Sequence, residues 1–293
     1  MIRKNQRRHA RKLAWIWFLA LVLAMLSFFN PSLSATDKMT PEELVARHLE
    51  SIGTAKARAS VTSRIIAGNS LVIFRTPPPG QATGRAVLAS EGPKSLIGMS
   101  FPSPVYPREQ LGFNGNSFMA AFVTPGVRSS LGSFLMTHAL IFKQGLMGGT
   151  LSTAWPLLDL AARNPRLEYT GLKKVDNRTL HELKYLARGG SDLQVSLFFD
   201  ATYRHVRTVY ERVIAAPTGE RAYTNIEERE IRYKMVEEFS DFKNEAGLTL
   251  PHTYKIKLLV DSKGGTFLAD WEITLTQFTF NERIDPNSFS IAG

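Results

Sequence analysis

The 293-residue chain contains no cysteine. That single absence removes disulfides, thiolate metal sites, a cysteine nucleophile and a lipid-modified N-terminal cysteine. Histidine is scarce as well. Beyond the N-terminal region it occurs only at His48, His138, His181, His205 and His252, with no metal-ligand spacing. Neither Gly-x-Ser-x-Gly nor His-Glu-x-x-His is present. The glycine-rich run at 145–150, GLMGGT, lacks the Lys-Ser/Thr ending of a phosphate loop and reads as a flexible connector. His181 and His205 fall in strand-like segments where either can meet a carboxylate across a sheet, but nothing supplies a nucleophile and an orienting group beside them. The acidic pairs Glu42/Glu43, Glu227/Glu228 and Glu237/Glu238 read as solvated surface. In a strand the last pair points to opposite faces, so it cannot act as a facing acid and base. The expectation is therefore a protein that is not an enzyme and needs no cofactor or metal.

Acidic residues are also missing from the first 36 positions, whereas Arg3, Lys4, Arg7, Arg8, Arg11 and Lys12 crowd the start. An uncharged apolar run, LAWIWFLALVLAMLSFF, occupies 13–29, followed by the polar and small Asn30-Pro31-Ser32-Leu33-Ser34-Ala35. A basic region, an apolar core and a small-residue exit make an export signal over 1–35. A helix buried in a globular fold would need a polar face, and this run has none. At this length the segment is either cleaved, which the small-residue exit favours, or retained as an inner-membrane anchor. Without its six basic residues the formal charge falls from +10 to +4, an ordinary surface, so nucleic acid is not an expected partner. The remaining 36–293 reads as one periplasmic domain, held by its core alone.

Along that domain the pattern changes twice. Thr40-Pro41-Glu42-Glu43 has the cap, the N1 proline and the N3 glutamate of a helix start. Leu44, Val45, His48, Leu49 and Ile52 follow at helical spacing up to Gly53, with His48 a packed or rim residue. From position 59 the period is two, giving candidate strands at 61–67, 70–74, 84–89, 95–101, 109–113 and 118–123. Proline and glycine clusters separate them, and Asn114-Gly115 reads as a tight hairpin. A helical insert follows near 128–163, with one helix over 128–143 and a short one over 152–163. Strands return at 167–173, 179–187, 193–199, 204–214, 230–243, 252–260 and 266–280, with an exposed loop over 215–228. Val195, Leu197 and Phe199, then Ile256 and Leu258, then Trp271 and Ile273 share apolar faces opposite polar ones. One-sided amphipathicity marks an antiparallel sheet wet on one face, and strand runs without intervening helices exclude parallel βαβ units. The fold class is α+β, mainly antiparallel β.

Four stretches carry a resemblance. They are EYTGLKKVDNR at 168–178 with LHELK at 180–184, LFFDA at 197–201 with RHVR at 204–207, FSDFK at 239–243 with GLTLP at 247–251, and FNERIDPNSF at 280–289. In this order they resemble strand pairs and turns of LolA-like outer-membrane lipoprotein-sorting proteins. The first half, above all 75–126 and the GLMGGT connector, departs from that pattern. The resemblance implies a curved, incomplete β-barrel of about eleven strands with helices covering its open side. It also implies a non-catalytic role, holding a lipid or lipoprotein acyl chain in an apolar cavity. Ligand-binding candidates are the inward residues Val195, Leu197, Phe199, Ile256, Leu258, Trp271 and Ile273. A second reading is a sensor or adaptor on the same fold, contacting an envelope protein partner and touching the membrane through an uncleaved N-terminal segment. Periodicity alone does not decide whether the inward residues line a cavity or fill a core.

Overall fold

The computed structural model describes residues 39–214, 231–262 and 265–292. The expected export signal at 1–35 and the expected loop at 215–228 lie outside the described residues. Among the described residues no helix is long and apolar enough to cross a membrane.

Helix α1 (Pro41–Ile52) starts where its cap signal stands, with Thr40 Oγ1 accepting the Glu43 amide at 3.1 Å. It buries Leu44, Val45, His48 and Ile52 on one face. A five-residue helix α2 (Ala55–Ala59), capped by Thr54, follows.

Twelve antiparallel strands then form one sheet: β1 (Ser63–Phe74), β2 (Gly80–Glu91), β3 (Lys94–Ser100), β4 (Arg108–Phe113), β5 (Phe118–Ala120), β6 (Arg166–Val175), β7 (Arg178–Leu186), β8 (Gln194–Phe199), β9 (His205–Ile214), β10 (Ile231–Glu245), β11 (Leu248–Ser262) and β12 (Gly265–Phe280). Their order is β5-β4-β3-β2-β1-β12-β11-β10-β9-β8-β7-β6, so two meanders join through the pairing of β1 with β12, and the sheet does not close. One face is covered and packs the main core; the other alternates into polar residues such as Lys255, Lys257 and Glu272.

The sheet has twelve strands where the resemblance implies about eleven, and thirteen candidate segments become twelve for a local reason. Segments 61–67 and 70–74 are one strand, bulged between Ala67 and Gly68. At Gly68 a Cβ would run into the Thr274 carbonyl oxygen, so glycine here is a close-approach position rather than a break. The Asn114-Gly115 hairpin is wider than two residues. Asn114 Oδ1 accepts the Asn116 and Ser117 amides at 3.0 and 2.9 Å, making a four-residue loop between β4 and β5.

The helical cover is smaller than the sequence suggests. The helix over 128–143 is two pieces, α3 (Ser130–Thr137) and α4 (Leu140–Lys143), interrupted at His138. Over 152–163 only a 3-10 turn (Pro156–Leu158) and α5 (Leu160–Arg163) are helical, with a second 3-10 turn just before, at Gly149–Leu151. Pro156 forces Trp155 out of the helical region, to ψ 119°.

Candidate functional site

Six of the seven candidate residues have no solvent exposure: Leu197, Phe199, Ile256, Leu258, Trp271 and Ile273. The register brings several of them together, with Ile256 opposite Trp271 and Ile273 opposite both Tyr254 and Ser70. Val195 lies further out, on the wall of a cleft described below. All seven belong to the main core cluster, and residues 130–158 supply much of its other half, including Leu131, Phe134, Leu135, Phe142, Leu151 and Trp155.

The GLMGGT run is the centre of that cover. Read from sequence as a flexible connector, it is buried, because Leu146, Met147 and Leu151 pack inward while its polar groups dock on the sheet. The Gly148 amide donates to Glu237 Oε1 at 2.7 Å, and Thr153 N donates to Ser90 Oγ at 2.9 Å. Arg64, from β1, donates to the Thr150 carbonyl and has no carboxylate partner among the described residues. Burial draws its pKa down to about 10. Gly148 at φ 80° and Gly149 at φ 51° supply left-handed backbone at this docking point.

Glu237 overturns the surface reading of the 237/238 pair. Glu238 does face out, between Arg207 and Lys257, but Glu237 points inward and has no exposure. Tyr210 and Tyr254 donate their hydroxyls to it at 2.6 and 2.5 Å, and with Gly148 N they make three donors on one carboxyl group. Burial outweighs those donors and pushes its pKa up to about 7. Glu109 is raised to about 7 for the same reason. It accepts from Tyr106 at 2.6 Å, and Trp271 Nε1 donates to the same Tyr106 oxygen at 2.8 Å, so a candidate ligand residue is itself pinned by a hydrogen bond.

The histidines also prove structural in their contacts. His48 Nε2 accepts Trp155 Nε1 at 3.0 Å, and its Nδ1 lies 3.0 Å from the Tyr203 carbonyl. With both nitrogens occupied and the ring fully buried, its pKa falls to about 4 by burial. His205 stacks on Trp155, and His181 meets Tyr169 rather than a carboxylate.

The residues missed at the sequence level are Glu237, Glu109 and Arg64. Phase in the strand pattern would have found them. Glu237 alternates with Met235 and Phe239, Glu109 with Leu111 and Phe113, and Arg64 with Ile66, all buried.

Several cavities accompany this core. Beneath the cover, between Leu88, Phe142, Met147 and Leu151, only about 10 Å³ is free. A cleft of about 630 Å³ opens between β7 and β8, one of about 280 Å³ lies beside α3, and a groove of about 770 Å³ runs across β12, β1, β2 and β3. Among the described residues no group of three His, Asp or Glu side chains is placed to hold a metal ion.

No family model matches the chain, and no curated protein does. Among solved structures it is similar to a LolA superfamily protein from Nitrosomonas europaea, at 12% identity and a TM-score of 0.45, covering 87% of this chain and 99% of that one. It is also similar to a putative outer membrane lipoprotein-sorting protein domain from Vibrio parahaemolyticus, at 13% identity and a TM-score of 0.45, covering 85% of this chain and 97% of that one. A DUF1329 family protein from Desulfovibrio piger matches at 8% identity and a TM-score of 0.47, covering 85% and 96% of the two chains. The descriptions of the first two carry the family name that the four sequence stretches resemble.

Proposed function

We propose that the chain is an exported, non-catalytic carrier that exchanges its own covering segment for a lipid or lipoprotein acyl chain. In this reading 1–35 directs the protein to the periplasm, 36–293 forms a single domain, and the sheet curls as an incomplete barrel. The acyl chain lies along Leu197, Phe199, Ile256, Leu258, Trp271 and Ile273, with Val195 toward one end.

The observation that carries the proposal is the nature of the cover. An apolar sheet face is sealed by a segment of short helical pieces, the longest of eight residues, anchored through a few polar contacts such as Glu237 to Gly148 and Ser90 to Thr153. Short helices draw their stability from packing rather than propensity, so such a segment can leave as a unit. It cannot leave for nothing. The acyl chain covers the sheet face again, so the net cost is exposing the cover's own side chains. Six of them (Leu131, Phe134, Leu135, Phe142, Leu151 and Trp155) at about 2 kcal/mol each cost on the order of 10 kcal/mol. An acyl chain of about sixteen carbons returns a similar amount at roughly 0.8 kcal/mol per methylene. The exchange is near balance, which is what loading and release both require.

The second reading, a sensor or adaptor that contacts an envelope protein, is favoured by one feature. Only about 10 Å³ is free between Leu88, Phe142, Met147 and Leu151 beneath the cover, too little for an acyl chain at that spot. Native mass spectrometry with lipid extraction, on protein purified from its own envelope fraction, separates the two. Lipid at near-unit stoichiometry supports the carrier. Delipidated protein that takes up no acyl probe supports the adaptor.

A further inference from the structure

The sheet opens between β7 and β8. The ladder between β7 and β8 runs from His181 opposite Phe199 to Lys184 opposite Ser196 and stops, although β7 continues to Leu186 and β8 begins at Gln194. Continued pairing would set Tyr185 against Val195 and Leu186 against Gln194. Both strands keep their other neighbours at this level: Tyr185 and Leu186 pair with Leu167 and Arg166 of β6, and Val195 and Gln194 with Tyr210 and Glu211 of β9. Each strand is therefore held on its far side and unpaired along the gap.

The loop between them keeps the gap open. Gly189 and Gly190 both take left-handed backbone, at φ 94° and 79°, and Leu193 tucks inward to 5% exposure. The resulting cleft of about 630 Å³ falls within the roughly 300–1,000 Å³ of small-molecule sites.

Its lining divides by face. Tyr185, Leu193 and Val195 are buried and apolar on the covered side, with the Tyr185 hydroxyl donating to Gln144 of the covering segment at 2.7 Å. Arg166, Lys184 and Arg188 line it on the exposed side; the ladder sets Arg166 and Lys184 on one face of the sheet, and Arg188 follows in the turn after β7. None of these three cations has a carboxylate partner among the described residues, and Glu168 is the one acid in the lining, leaving a formal surplus of +2.

We propose that this cleft is a lateral portal that seats the head of an anionic single-chain amphiphile. Its carboxylate or phosphate rests on Arg166, Lys184 and Arg188, and its tail passes between β7 and β8 over Tyr185 and Val195 toward the covered face. A peptide added as a strand fits less well, since only two positions on each strand are open, fewer than strand addition uses. The proposal rests on the carrier reading and adds to it a headgroup class and a route of entry.

The test uses protein from its own envelope fraction, stripped of lipid and titrated with a photoreactive palmitate and with the methyl ester of the same chain. Expected are crosslinks within 185–195 and palmitate affinity lowered at least tenfold in the triple variant Arg166→Gln, Lys184→Gln, Arg188→Gln, with ester affinity unchanged. Alkyl phosphate should displace the palmitate while inorganic phosphate does not. Equal displacement by inorganic phosphate would make the site a plain anion pocket and overturn the proposal. Crosslinks confined to other segments, or full palmitate affinity in the triple variant, would overturn the portal and leave the carrier standing. Failure of every acyl probe to bind would overturn both.

Discussion

Replacing Glu237 by glutamine keeps the shape of a buried carboxyl group and removes its charge. The amide oxygen can still accept from Gly148 and Tyr254, and the amide nitrogen can donate to a rotated Tyr210 hydroxyl, so no polar atom is stranded. What changes is the linkage to pH. In the folded protein burial holds Glu237 at about 7, against an ordinary 4.5. Between those values the folded state keeps a proton that the unfolded chain has released, so the parent loses stability as pH rises from 4.5 through 7 and then levels off. At about 1.4 kcal/mol per pH unit the loss approaches 3 kcal/mol, and complete burial leaves no solvent screening to discount. The glutamine variant has no such loss. Urea unfolding followed by tryptophan fluorescence, run on both proteins from pH 4 to 8, gives the difference directly. Glu109, His48 and His205 contribute equally to both proteins and cancel. The stability of the variant relative to the parent should climb by about 3 kcal/mol across that range. A flat or falling difference would refute the assignment of Glu237 as a buried, burial-perturbed carboxyl group.

Three further outcomes follow from neighbouring contacts. His48 is neutral when folded, with a pKa near 4, so its contribution is present above 6.5 and lost as pH falls through 4; His48→Gln should move the acid-unfolding midpoint downward, read by circular dichroism. Trp271→Phe removes the donor to Tyr106 and leaves a gap, and chemical denaturation should show a cost of about 2 kcal/mol, against about 3–5 for Trp271→Ala. Gly145 has φ 72° and a Cβ there would meet the Ala154 carbonyl, so Gly145→Ala should cost more than about 1 kcal/mol and speed hydrogen exchange across 145–155 before the strands.

Alternation made most of the sheet readable, because a strand with one wet face repeats every two residues; Leu197, Ile256, Leu258, Trp271 and Ile273 all point where the pattern puts them. The limits of that signal are equally physical. Period tells which face is inward but not what lies against it, so a filled core and a cavity give the same pattern. GLMGGT has the composition of a loose connector, yet Gly145 and Gly149 serve close docking, against the Ala154 carbonyl and His205. The charge of Glu237 suggests a surface residue, but its phase between Met235 and Phe239 marks it as inward. Pro251 stands inside β11, opposite Phe242, where composition alone would have ended the strand.

The exchange of cover for ligand can be watched directly, since the absence of cysteine allows two to be introduced without background. Thr137 on α3 and Thr276 on β12 are both exposed and suit nitroxide labels. Pulsed electron paramagnetic resonance between Thr137→Cys and Thr276→Cys should give one distance population in lipid-free protein and a second, distinct population that grows with added palmitate. Palmitate bound at unit stoichiometry with the distance distribution unchanged would contradict the account, because the chain would then be held without the cover leaving the sheet.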